Sequence, residues 1–333
     1  MKGKVALISK TILNSKIQFN KNDDFSYKVQ NLNKIISDYN VKPFLKWAGG
    51  KGQLLREIEK QYPFHDYNIK KYVEPFVGGG AVFFDIINKY DLEFIYISDT
   101  NNDLINAYRT IKYNKLDLIK LLKIMEKEYL NKDKEHRKKY YLEKREKYND
   151  IKIKGSNEHN VLKASYLIFL NKTCFNGLYR VNSKGLFNVP MGTYKNPQIC
   201  DEKNIIAISD KLKRVKIECA DFKDSEDFID ENTFVYFDPP YRPITKTANF
   251  TAYTSNEFND NNQIELANFV KKIDKKGAKF VLSNSDPKNT DDEDDFFDDL
   301  YSEFKIRRVD AKRMINSNSK KRGNVKELLI SNF

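Results

Sequence analysis

Cysteine, histidine and tryptophan are scarce in this sequence: three, three and one among 333 residues. Cys174, Cys200 and Cys219 are odd in number, widely spaced and without a C-x-x-C pair. That excludes a disulfide scaffold or a zinc finger, fits a reducing cytoplasm, and leaves the thiols as packing residues. His65, His136 and His159 form no H-E-x-x-H or other ligand-spaced cluster, so they are expected at the surface and no catalytic metal is expected. Long apolar runs are missing too. The longest, Ala164 to Leu170, falls far short of the ~20 residues of a membrane span, and Met1 to Lys10 holds only Val5 to Ile8 as an apolar patch, which is no secretory signal. Basic residues, in contrast, are abundant: 59 Lys and Arg against 47 Asp and Glu leave a net charge of +12. Such a balance favours a polyanionic partner without specifying a fold. The length suggests about two domains, or one domain with a large insertion.

Residues 1–40 are polar and aperiodic, an N-terminal extension with one helix expected around Gln30 to Tyr39. Apolar segments then alternate with helical patterns. Strands are expected at Lys71 to Val73, Phe94 to Ser98, Val215 to Cys219, Thr233 to Asp238, Lys279 to Ser283 and Glu327 to Ile330. Alternation of this kind predicts an α/β fold with a parallel sheet and right-handed crossovers. It is interrupted over about 112–205 by charged helices, expected to be solvated with Leu116, Leu118, Leu121 and Leu122 on one side, and by an Asn- and Gly-rich aromatic stretch from Asn171 to Tyr194. The acidic run Asp291 to Asp299 reads as a solvated loop.

Two segments carry chemistry. Gly78-Gly79-Gly80 follows a strand and opens a helix, where glycine lets the backbone approach a ligand closely. Asp99 ends the next strand, at the place where a carboxylate accepts from ribose hydroxyls. Phe83 stands where a nicotinamide fingerprint needs its third Gly, and Gly52 follows Lys51 where a P-loop needs Ser or Thr. A nucleoside cofactor without a pyrophosphate, such as S-adenosylmethionine, is the natural fit. The second segment is Asp238-Pro239-Pro240-Tyr241, at the end of an apolar strand. Its prolines remove two backbone donors, so the Asp238 carboxylate and the Pro239 carbonyl can both face a planar NH2, with Tyr241 as a stacking surface for a base.

Lys42-Pro-Phe-Leu-Lys-Trp-Ala-Gly-Gly-Lys51, Val73-Glu-Pro-Phe-Val-Gly-Gly-Gly80 and Asp238-Pro-Pro-Tyr241 stand in the order found in the Dam family, the α-group (D12 class) DNA adenine-N6 methyltransferases. Thr247 to Tyr253, Asn176-Gly-Leu-Tyr-Arg180, Phe187-Asn-Val-Pro190 and Val325 to Ile330 are similar to further segments of that family, so the likeness covers the chain from about Lys42 onward. The resemblance implies a Rossmann-like S-adenosylmethionine-dependent methyltransferase sheet, built from 41–111 and 206–333. It implies a mostly helical DNA-recognition domain with a β-hairpin inserted at 112–205. Trp47, Lys51, Glu74, Phe76, Gly78, Gly80, Asp99, Asp221, Phe222 and Asp238 would bind the cofactor, and Asp238, Pro239, Pro240 and Tyr241 would hold the target adenine. Lys46, Phe175, Asn176, Leu178, Arg180, Pro190 and Tyr194 would contact double-stranded DNA at 5′-GATC. The family setting is cytoplasmic: a monomer or weak dimer, with or without a restriction endonuclease of the same site.

Elementary chemistry supports several of these roles. A target amine inside a duplex is out of reach, so the base must be flipped out. Arg180 can pair bidentately with guanine, Leu178 and Pro190 suit a thymine methyl, and Phe175 with Asn176 can fill the space of a flipped base. Lys132, Lys134, Arg137, Lys138, Lys139, Lys144, Arg145 and Lys147 offer phosphate contacts or simply a solvated helix face, since acidic residues interleave with them. No cysteine follows a proline, so the nucleophilic Pro-Cys pair of cytosine-C5 enzymes is absent. Alternatives that stay open are an adenine enzyme with another site, an RNA or glutamine N-methyltransferase, and a DNA-binding regulator with an inactive catalytic domain.

Overall fold

In the computed structural model, residues 39–47, 49–155, 160–242, 258–312 and 324–333 are described. The expected helix before Tyr39, His159 and the Thr247 to Tyr253 loop lie outside the described residues. The chain divides into Met1–Tyr39 and Asn40–Phe333, and the sheet belongs to the second unit.

Helix α1 (Leu55–Glu59) precedes strand β1 (Lys71–Glu74), and α2 (Ala81–Lys89) leads to β2 (Phe94–Asp99). Three long helices follow: α3 (Asn102–Leu130), α4 (Lys134–Lys154) and α5 (Val161–Thr173). After α6 (Glu202–Lys211) come β3 (Val215–Cys219), β4 (Thr233–Phe237), α7 (Asp260–Lys275), β5 (Lys279–Ser285), the short α8 (Phe296–Leu300), β6 (Lys305–Lys312) and β7 (Asn324–Ser331). The strands form one sheet in the order β3-β2-β1-β4-β5-β7-β6.

The first five strands are parallel, as the alternation predicts. β4 is buried along its whole length, the mark of a central strand covered on both faces. Pleating sorts the side chains. Val73, Val235, Phe237, Phe280 and Leu282 pack with Leu266, Val270 and Ile273 of α7. Tyr72 and Phe234 point the other way, toward Tyr62 and Phe64.

Two expectations need correction. The sheet is mixed, because β7 runs antiparallel to both β5 and β6. β6 itself is invisible to apolar patterning: Lys305-Ile-Arg-Arg-Val-Asp-Ala-Lys312 stands at the end of the strand order, and charge along an edge strand disfavours pairing with other chains. The acidic run is only partly a loop. Phe297 is fully buried on α8, and Asp294 and Asp298 pair with Arg242 and Arg308.

The inserted helices are not solvated on all sides. α3 is two helical runs that meet at a kink at Asn114, where φ is −130° and ψ 32°, close to the boundary read at 111–112. Its Leu118 and Leu122 are buried while Leu116 is exposed, and α4 buries Tyr140, Tyr141 and Tyr148. Arg137 donates to the carbonyls of Tyr129, Leu130 and Lys195, so it ties the end of α3 rather than facing solvent. Cys174 and Cys200 are buried as expected. Cys219, at the end of edge strand β3, is exposed.

Candidate active site

The strand order reverses direction between β1 and β4. The chain leaves these neighbours toward opposite sides, and a crevice opens beyond their carboxyl ends. Register pairs Val73 with Val235, so the segment from Glu74 to Gly80 and the segment from Asp238 to Tyr241 rise from adjacent strands into that crevice.

On the β1 side, Gly78 and Gly80 adopt positive φ, +47° and +73°, which glycine tolerates without strain. A Cβ on Gly80 would lie 2.5 Å from the Tyr108 hydroxyl, and one on Gly78 would lie 3.0 Å from the Trp47 ring. The Gly78 amide donates to Asp99 at 3.1 Å and the Asn101 amide donates to it at 2.8 Å. Burial outweighs these bonds and pushes the Asp99 carboxyl up to about 6. Glu74 lies deeper. It accepts from the Tyr72 hydroxyl, and burial raises its pKa. Phe76 stacks on Phe222, with ring centroids 5.6 Å apart, and Phe258 closes on both edge-on. Asp221 uses its carboxylate to cap the turn that Phe222 begins.

On the β4 side, the Asp238 carboxylate meets the ammonium of Lys51 at 2.6 Å and accepts from the Ser283 hydroxyl at 3.2 Å. Lys51 is 3% exposed and also donates to the Tyr241 hydroxyl at 2.9 Å and the Gly49 carbonyl at 3.2 Å. Desolvation alone would lower the Lys51 pKa, but Asp238, the Tyr241 hydroxyl and Glu327 together more than reverse it. Burial raises Asp238 despite Lys51. Pro239 is buried and Pro240 exposed. The Pro240 carbonyl accepts from Gln263, which is itself bonded to Asn284, so two buried amides hold the turn.

The stretch expected to recognise DNA begins at α5. Asn171 accepts from the Lys46 amide at 2.9 Å and donates to the carbonyls of Lys46 and Gly177. One buried amide thus clamps the segment before Trp47 to the turn after Cys174. The Lys46 side chain crosses Gly177, with its ammonium 5.2 Å from the Tyr194 ring centroid. Asn176 has φ +56°, unusual outside glycine, and Phe175 beside it is 53% exposed. The expected hairpin is present as a turn at Asn182 to Gly185 with isolated bridges Cys174–Met191 and Val181–Phe187, not as regular strands. Arg180 is exposed and donates to the Asn188 side chain, Pro190 is exposed and Leu178 half-buried. Tyr179 turns inward, stacks on Trp47 at 5.1 Å, and donates to Asp103 at 2.7 Å. Asp103 also accepts from Tyr148, Lys152 and Lys163, and these two lysines hold its carboxyl down at about 2 against the opposing effect of burial.

The structure therefore brings Lys51, Asp238 and Tyr241 into direct contact, places Trp47, Gly78 and Asp99 side by side, and joins Phe76 to Phe222. Among the described residues, Arg180 bonds within its own hairpin, to Asn188. Asn171, Asp103, Ser283, Gln263, Phe258 and Glu327 were not singled out by sequence reasoning. Lone polar or aromatic residues carry no motif, and only the tertiary contacts expose them.

Residues 47–315 match the family profile of the D12 class N6 adenine-specific DNA methyltransferases. The chain belongs to this family. This methyltransferase is 50% identical over 297 residues to the Type II methyltransferase M.MjaIII of Methanocaldococcus jannaschii, covering 88% of this chain and 99% of that protein. Type II methyltransferase M1.LlaDCHI of Lactococcus lactis subsp. cremoris is 39% identical, covering 88% and 96%. The DNA adenine methylase of Haemophilus influenzae is 36% identical, covering 86% and 92%. The fold and the reaction class, methylation of adenine N6 in DNA, follow from this membership. No helix among the described residues of the methyltransferase is long and apolar enough to cross a membrane.

Proposed function

We propose that this chain transfers the methyl group of S-adenosylmethionine to N6 of a flipped adenine in duplex DNA, within 5′-GATC. The observation that carries the reading is the Lys51–Asp238–Tyr241 cluster, which rises beside the glycine turn and Asp99 from the neighbouring strand.

The donor set suits an adenosine-type cofactor. A Cβ at Gly78 or Gly80 would collide with its neighbours, so the turn is kept bare. Asp99 is positioned for a ribose, and Phe76, Phe222 and Asp221 for the adenine. Trp47, Lys51 and Glu74 line the approach to the methionine end. When bound, S-adenosylmethionine supplies an electrophilic methyl on a sulfonium.

The protein's own part is acceptance and exclusion. Asp238 and the Pro239 carbonyl take hydrogen bonds from the two N6 protons, which fixes the amine and raises its electron density. Tyr241 stacks on the base. With both reactants bound, N6 would take the methyl directly, S-adenosylhomocysteine would leave, and the proton that N6 gives up would pass by way of the Asp238 carboxylate to water. Holding both reactants in line supplies much of the acceleration, and no covalent enzyme intermediate is needed.

Residues 41–111 and 206–333 make up the catalytic part in this reading, 112–205 the recognition part, and 1–40 an extension. Arg180 reads guanine, Leu178 and Pro190 meet a thymine methyl, Phe175 and Asn176 occupy the vacated stack, Tyr194 contacts a phosphate or a base nearby, and Lys46 also touches the DNA. The exposure of Phe175 and Arg180 supports this assignment, because groups that read a ligand must stand clear of the core. Two relatives are named Type II methyltransferases, which supports a companion restriction endonuclease of the same site. The test is transfer of labelled methyl from S-adenosylmethionine to two duplexes, one with GATC and one with the same bases scrambled. Label in adenine of the first alone is expected. Equal label in both removes the GATC assignment and keeps the chemistry.

A further inference from the structure

Lys51 faces two carboxylates, and only one is accounted for. Asp238 holds its ammonium at 2.6 Å, and Glu327 Oε2 stands 3.9 Å away on the other side. That oxygen is buried and has no hydrogen-bond partner among the described residues. Buried polar atoms are nearly always paired, so an orphan of this kind calls for an explanation. Glu327 belongs to β7, where it pairs with Ser285 of β5 and Val309 of β6, and the reversal of this strand brings it to the crevice. Burial raises its pKa, while Lys51 and a hydrogen bond between the carboxylate and the Tyr241 hydroxyl oppose the rise.

We infer that Glu327 is a positioning residue for methyl transfer: it serves as second counter-ion of Lys51, leaving the charge of Asp238 to the substrate amine. This rests on the adenine-N6 reading of the site. Methyl transfer places positive charge on N6 before its proton leaves. Lys51 and Asp238 alone are a neutral pair, and an ammonium bound to the acceptor opposes that charge. An ionised Glu327 gives the three side chains one net negative charge, which favours it. The ammonium can also lean toward Glu327 as the amine takes up Asp238, so Lys51 is never left buried and unpaired, a state that is strongly unfavourable. At 3.9 Å in a site screened from solvent, the effect is electrostatic and needs no hydrogen bond.

The experiment compares single-turnover transfer, cofactor affinity, DNA KM and thermal melting for the full chain, Glu327→Gln and Glu327→Asp. Glu327→Gln is expected to lower the single-turnover rate on the order of a hundredfold, with cofactor affinity and DNA KM within about twofold of wild type. Glu327→Asp, which keeps the charge, is expected to recover much of the rate. Wild-type rates in Glu327→Gln overturn the inference, and so do equal losses in both variants, since charge is then not what acts. Absence of transfer to adenine by the unaltered chain overturns the parent reading and this one with it, and is distinguished by being seen before any substitution is made.

Discussion

The crevice at the carboxyl ends of β1 and β4 and the stretch from Asn171 to Tyr194 are both rich in polar and aromatic side chains, yet they are built on opposite plans. In the crevice, Lys51, Glu74 and Asp238 are withdrawn from solvent and answered by fixed partners. In the stretch proposed to recognise DNA, Phe175, Asn176, Arg180 and Pro190 project outward on a turn held by Asn171 and two isolated bridges. Chemistry at an amine gains from groups whose solvation has already been replaced by protein dipoles. Sequence reading needs side chains that are still free to meet base edges. The two plans meet at Tyr179, which is buried against Trp47 and Asp103 while its neighbour Arg180 is exposed.

The contrast is sharpest for Asp238. Asp238→Ala is expected to reduce methyl transfer by about a thousandfold or more, the scale of losing a preorganised electrostatic group, while DNA affinity survives. Filter binding alongside transfer assays checks this, and retained turnover with lost binding would contradict the role. Asp103 tests whether the junction belongs to the buried plan. Asp103→Ala leaves Lys152 and Lys163 without their shared carboxylate, and a cost of about 3–5 kcal/mol in unfolding free energy is expected from a broken buried pair. A variant that melts like the wild type would move the junction to the solvated plan.

Arg180→Ala should act on reading alone. We expect about 1–3 kcal/mol lost in discrimination at one base pair, with cofactor affinity and melting temperature unchanged. A substrate panel varied one base at a time measures it. A uniform loss across all sequences would reassign Arg180 to a phosphate.

The smallest effect is one of pH. Asp99 titrates near 3.8 when unfolded and near 6 in the fold. The folded state therefore holds the extra proton between those values, and this group's contribution to stability declines as pH rises from about 4 to 6. Cofactor affinity should move the other way across the same window, since the ionised carboxylate is the better acceptor for ribose. Calorimetric titrations at pH 5 and 7 compare the two, and affinity that falls with rising pH removes Asp99 from the cofactor site.

The family, the parallel half of the sheet and the residues of the crevice were legible in the sequence, because strand–turn–helix motifs are local. Gly78 to Gly80, Asp99 and Asp238 to Tyr241 each sit at a strand end that apolar patterning reveals. The pairing of Lys51 with Asp238, 187 positions apart, could be anticipated only as two residues of one site, not as an ion pair. β6 escaped notice because an edge strand carries charge where a central one carries Val and Ile. The buried faces of α3 and α4 escaped because tyrosines and lysine stems pack in place of an aliphatic stripe.

What the sequence determined by itself is the set of local conformations and the chemistry they can offer: a bare glycine turn, a carboxylate at a strand end, an acceptor pair without backbone donors. What only the tertiary structure decided is which groups share a solvent-poor space. The reversal of β7 delivers Glu327 to Lys51, and Asn171 binds the segment before Trp47 to the turn after Cys174. Charges and amides of this kind acquire their strength from burial and mutual distance, and neither quantity exists until the chain has folded.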